Sequence, residues 1–160
     1  PPRGLIGGVA RHRTYDRHVN DQALPRPDGD AELPAGDVYD WYQRGCRLLD
    51  EGNAAAAVQL LARVSESEPS ARHARETLGR ARLAAGQYAA AETDFAHLVA
   101  SAPDDDYAHL GLGMALARQG RFEEAVEHLA LAVAMRPDRP EYASQLQHVR
   151  ATLRARADPL

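Results

Sequence analysis

The chain has 160 residues and a mass of 17.4 kDa, enough for one core or a short stack of repeats but not for two full domains. A formal net charge of −4 and a pI near 6.0 give no general attraction to nucleic acid or to an anionic membrane, so neither partner is expected. All nineteen basic side chains are Arg; without Lys, Schiff-base chemistry and a phosphate-binding P-loop are excluded.

Cys46 is the one cysteine, which permits no internal disulfide and no cysteine-based zinc site and fits a reducing cytosol. Abundant Ala, a single Ile and the Arg bias suggest a GC-rich bacterial genome. No apolar run reaches the length of a membrane span, and the first residues lack the apolar core of a secretory signal.

Residues 1–37 come first and show no helical or strand period. Pro1, Pro2, Pro25, Pro27 and Pro34 are scattered among Gly4, Gly7, Gly8, Gly29 and Gly36. The segment reads as a linker or leader. Leu5, Ile6, Val9, Tyr15, Val19 and Leu24 are apolar for a pure spacer and support the competing reading, an extension that docks on the following repeats.

From residue 38 onward one period of 34 residues governs the chain. Gly45, Gly79 and Gly113 share it, as do Gly52, Gly86 and Gly120; Ala57, Ala91 and Ala125; and Pro69, Pro103 and Pro137. Each unit, at about 38–71, 72–105 and 106–139, is predicted to be a pair of antiparallel helices. Gly52, Gly86 and Gly120 close the first helix in a left-handed conformation, and the prolines end the second.

Gly45, Gly79 and Gly113 fall mid-helix, where Gly costs about 1 kcal/mol against Ala. Close approach to the alanine column explains their use. Trp41, Leu48, Leu61 and Val64 supply the first core, followed by Leu78, Tyr88, Phe95 and Leu98, then Leu112, Leu116, Phe122 and Leu129, at spacings that mark one buried helical face. Asp104, Asp105 and Asp106 precede the first helix of the third unit, where negative charge is favourable. Residues 140–156 read as a closing helix opened by Pro140, with Leu146, Val149 and Leu153 on its dry side and Gln145, Gln147, Arg150, Arg154 and Arg156 on its wet side.

The spacing of Trp41, Gly45, Leu48, Ala57, Leu61 and Pro69 resembles the tetratricopeptide repeat, and the next two units are similar to it. Arg75 departs from the aromatic column and Arg82 from an apolar one, which is expected to loosen the second unit. The resemblance implies an all-α, right-handed solenoid of three helix pairs with a capping helix, spanning 38–157 behind the irregular extension.

It also implies a ligand groove lined by the first helices. The corresponding positions are Tyr39, Tyr42, Cys46 and Leu49; His73, Glu76, Thr77, Arg80 and Leu83; Tyr107, Leu110, Met114 and Arg118; and Ser144, Gln145 and His148. Tyrosines, Leu and Met form an apolar floor while Arg80 and Arg118 grip a carboxylate or a carbonyl, a surface suited to a peptide or protein segment. Family members that hold acidic chaperone tails use a Lys and Asn clamp. Tyr42, Cys46, Thr77, Tyr107 and Gly111 stand in its place here.

The leading expectation is thus a non-catalytic protein-interaction scaffold. Its alternative is a self-associating module whose groove or edge takes the extension or a second copy of the chain. An enzyme finds little support: His12, His18, His73, His97, His109, His128 and His148 form no i, i+4 metal pair, and only a thiol site pairing Cys46 with His73 remains formally open. No catalytic residue, metal or cofactor is expected.

Overall fold

The computed structural model describes residues 36–158, so the docking proposed for the extension lies almost wholly outside the described residues. Among them are seven helices and no strand: α1 Val38–Asp50, α2 Ala54–Ser67, α3 Arg72–Ala84, α4 Tyr88–Ser101, α5 Asp106–Arg118, α6 Phe122–Met135 and α7 Pro140–Ala157. The described residues divide into two compact units, the first ending at Gly86 and the second beginning at Gln87.

In the first unit α2 packs against both α1 and α3. Asp37 opens α1 with a reciprocal capping box: its carboxylate accepts from the Asp40 N–H at 2.9 Å, and the Asp40 carboxylate accepts from the Asp37 N–H at 3.4 Å. Gly52 closes α1 at φ +83°, a left-handed value that a side chain would strain, and the next residue, Asn53, donates its N–H to the Leu48 carbonyl at 2.8 Å. Asn53 then caps α2 through its side chain. The core gathers Tyr42, Ala57, Val58, Leu61, Val64, Ala74, Leu78 and Ala81.

Two sequence expectations need adjustment here. Trp41 and Leu48 pack against this core but stay partly exposed. The space opened at Gly45 is filled first by the Leu61 side chain, whose nearest atom a methyl group at Gly45 would meet at 2.7 Å. A large apolar side chain seated on a bare helix backbone buries more surface than two small residues in contact.

The second unit is built around α5, with α4, α6 and α7 packed against it. Tyr107 through Leu116 are consequently buried without interruption, as a helix surrounded by neighbours requires. Asp105 caps α5, accepting from the N–H groups of Tyr107 and Ala108, both at 3.1 Å. The acidic run is therefore a helix start, and among the described residues no group of acidic, His and Cys side chains is arranged to hold a metal.

Gly113 repeats the seating of Gly45, with Leu129 as its plug: a methyl group there would meet Leu129 at 2.7 Å and the Ala125 carbonyl oxygen at 3.1 Å. Tyr88 and Phe122, expected in the core, lie partly exposed at the heads of α4 and α6. Each supports an arginine of a later helix: Arg118 lies 5.8 Å from the Tyr88 ring and Arg156 4.8 Å from the Phe122 ring. Pro140 begins α7, which buries Tyr142, Leu146 and Val149 while Leu153 is half-buried.

Candidate interaction surface

In the first unit Tyr39, Tyr42, Cys46 and Leu49 recur along α1 at intervals that keep them on one stripe, and His73, Glu76, Thr77 and Arg80 do the same along α3. The Tyr42 and Thr77 hydroxyls lie 3.2 Å apart in a buried hydrogen bond that ties the two stripes side by side. Tyr42, Glu76, Thr77 and Leu83 are buried, whereas Tyr39, Cys46, Leu49, His73 and Arg80 keep part of their surface in contact with solvent. A polar, hydrogen-bonded floor with a half-exposed apolar and basic rim results.

Burial pushes the Cys46 thiol above its ordinary range, only partly opposed by a hydrogen bond from Tyr42 and the charge of Arg80. The side chain is thus held as a thiol, the wrong state for a nucleophile.

In the second unit Tyr107, Leu110 and Met114 are buried, with Tyr107 meeting the Phe95 ring edge to face at 6.4 Å between centroids. Arg118 and Gln145 are half-buried, and Ser144 and His148 are exposed. Arg118 is already engaged by Tyr88. Gly111, weighed above as a clamp position, faces α4 instead: a methyl group there would overlap the Phe95 ring. The helices packed around α5 draw these groove positions into the interior, which helical spacing by itself does not reveal.

Two polar links went unforeseen. The Tyr142 hydroxyl donates to Asp106 Oδ2 at 2.7 Å, joining the heads of α7 and α5. His109 and His128 meet between α5 and α6, with their Nδ1 atoms 3.0 Å apart. Neither partner follows from helical periodicity, although the residue types alone advertise hydrogen bonding.

The tetratricopeptide repeat family model matches residues 42–94 and 76–140. The chain belongs to the tetratricopeptide repeat family. Its fold is all-α and TPR-like, and TPR domains generally serve protein–protein interaction. Several solved TPR structures are similar to it. MamA (residues 41 to the end) from Desulfovibrio magneticus RS-1 is 23% identical, with a TM-score of 0.70 over 93% of this chain and 86% of that one. The first TPR of Spaghetti (RPAP3) bound to the HSP90 peptide SRMEEVD is 18% identical, with a TM-score of 0.67 over 72% and 92%. The second TPR domain of human RPAP3 in complex with the HSP70 peptide SGPTIEEVD is 18% identical, with a TM-score of 0.63 over 69% and 92%. A search of curated proteins finds no significant match. Among the described residues of this TPR chain no helix is long and apolar enough to cross a membrane.

Proposed function

We propose that this TPR protein is a non-catalytic scaffold, acting in the cytoplasm, that receives a peptide or protein segment on the surface formed by α1 and α3. The observation that carries the reading is the Tyr42–Thr77 hydrogen bond, because it fuses two helical stripes into one continuous face. Tyr39 and Leu49 offer apolar contact at its edges, while His73 and Arg80 bring donors for a carboxylate or a backbone carbonyl. Repeats at 38–71, 72–105 and 106–139 with the closing helix make up the domain, and residues 1–37 are its extension.

Two structures of similar fold are bound to the HSP90 peptide SRMEEVD and the HSP70 peptide SGPTIEEVD, which supports a peptide occupant. The occupant here differs, since the chain has no Lys and the clamp columns carry Tyr42, Cys46, Thr77, Tyr107 and Gly111. A peptide with apolar side chains and one acidic group suits the face better than a tail of several carboxylates.

The test is selection of binders from a displayed peptide library by the full chain, followed by affinity measurements with Leu49→Asp and Arg80→Gln. Both substitutions are expected to weaken the selected peptides at least about tenfold, corresponding to about 1.4 kcal/mol each. Undiminished binding by both variants would show that the face is wrongly placed. If the library yields nothing, and deletion of residues 1–30 or light scattering at two concentrations reveals an internal segment or a second copy in the site, the alternative of self-assembly replaces this reading.

A further inference from the structure

His109 and His128 sit in the middle of the second unit, one on each of two packed helices, and their hydrogen-bonding pattern fixes where the protons lie. His109 is buried, and its Nε2 is 2.9 Å from the Pro103 carbonyl oxygen. A carbonyl only accepts, so Nε2 of His109 carries hydrogen. In the neutral ring Nδ1 must then present a lone pair. The Nδ1 of His128, 3.0 Å away, is the donor to it, and the hydrogen of neutral His128 is therefore on Nδ1.

The ring geometry separates this arrangement from both a stack and a metal site. The centroids are 5.3 Å apart and the planes differ by 27°. That separation is the 3.0 Å nitrogen distance plus roughly one ring radius on each side, so the rings meet edge to edge along the nitrogen–nitrogen line. The two lone-pair directions oppose each other. Ligands of one metal ion would instead converge on a third point.

We propose that His109 and His128 form a proton-operated latch between α5 and α6, closed with zero or one added proton and forced open by two. The first added proton goes to Nε2 of His128, on the partly exposed ring, and leaves the Nδ1–H···Nδ1 bond in place. The second must take the lone pair on Nδ1 of His109. Two N–H groups then point at each other across the same gap, and the bond between the helices is replaced by repulsion. The His109 hydrogen bond to Pro103 survives either step, so the strain falls on the α5–α6 contact.

The ionisable surroundings agree. Burial holds the His128 pKa below the ordinary histidine value and the neighbouring His109 adds to this, while Glu127 and Glu124 on α6 pull the other way. His97 on α4, Asp106 on α5 and Tyr142 on α7, the other elements packed around α5, are not among the groups that shift it. A histidine depressed on folding leaves the unfolded chain binding more protons; its contribution to stability is intact above the ordinary histidine pKa and is lost as pH falls below it. The columns 34 and 68 residues back carry Arg75 and Trp41 for His109, and Asp94 and Leu60 for His128, so the fold itself does not demand imidazoles there.

Nitrogen-15 spectra of the histidine side chains in the full chain test the latch. Near pH 7.5 His128 is expected as the Nδ1–H tautomer and His109 as the Nε2–H tautomer, with two separate protonation steps on acidification. Amide exchange across α5 and α6, corrected for intrinsic rates, should rise roughly tenfold or more after the second step. In His128→Leu, which places the residue of the first repeat in this column, the exchange rise should vanish. An Nε2–H tautomer at His128, simultaneous titration of both rings, or corrected exchange indifferent to the second step would each overturn the proposal. The wild-type spectra decide alone if the variant does not fold.

Discussion

Tyr142 and Asp106 stand at the heads of α7 and α5, and the 2.7 Å hydrogen bond between them clasps the last helix to the most buried one. Tyr142 itself is buried, so loss of its hydroxyl removes this hydrogen bond without opening a sizeable cavity. Tyr142→Phe is expected to lower stability by about 1 kcal/mol. Thermal unfolding should register this as a drop of roughly 3–6 °C. An unchanged midpoint would mean that water replaces the hydroxyl at no cost.

Gly113 makes the opposite kind of prediction, because a better helix former should hurt. Ala gains about 1 kcal/mol of helix propensity over Gly. Its methyl group, however, would meet the Leu129 side chain at 2.7 Å and the Ala125 carbonyl at 3.1 Å. Overpacking costs about 1–3 kcal/mol, and net destabilisation of Gly113→Ala follows. Urea unfolding of this variant, of Leu129→Ala and of the double variant should show less than additive losses, since each change makes room for the other. Strict additivity would contradict the plug-and-seat contact.

These two positions also mark what the amino-acid order reveals and what it conceals. Gly52, Gly86 and Gly120, with φ of +83°, +78° and +80°, were legible because a helix stop is a local matter of backbone sterics. The mid-helix glycines were legible as needing space, but not which atoms fill it. Leu61 and Leu129 come nearest, and at Gly113 the backbone carbonyl of Ala125, from the alanine column, stands beside Leu129, because side-chain reach is decided in three dimensions. The inner-face columns follow from the tetratricopeptide resemblance, carried over by the 34-residue spacing. Tyr107, Leu110 and Met114 share that spacing yet are buried, for α5 is enclosed by three neighbours. His109 and His128 are nineteen positions apart, an interval created by the antiparallel return of the chain and absent from any one helix.

Cys46 should be a sluggish thiol. Its pKa is raised by burial while the Tyr42 hydroxyl and Arg80 restrain the rise, so Tyr42→Phe removes a restraint and pushes it higher. Reaction with a disulfide reagent is expected to be slower than for a free cysteine near neutral pH, and slower again in the variant. The rate should climb only above the ordinary thiol range. Fast labelling at pH 7 would revive the thiol-enzyme reading.

At Asp138 the pKa falls to about 2, chiefly because the Arg136 guanidinium donates to both carboxylate oxygens, at 2.9 and 2.8 Å. A depressed carboxyl favours the folded state above its unfolded pKa, and that contribution fades as pH falls toward the folded value. The pair is exposed, so screening leaves little of it as stability. Carbon-13 titration of Arg136→Gln should return Asp138 to the ordinary range with hardly any movement of the melting temperature. A titration unmoved by the substitution would remove Arg136 as the cause.

The heads of α1, α3, α5 and α7 fall at Val38, Arg72, Asp106 and Pro140, and the seats at Gly45 and Gly113 take their plugs, Leu61 and Leu129, from the same repeat. A duplication or loss of one whole period would carry both partners of such a contact together. Lengthening between a glycine and its leucine would part the two, so within each helix pair this architecture favours inheritance in complete units and penalises indels of intermediate size.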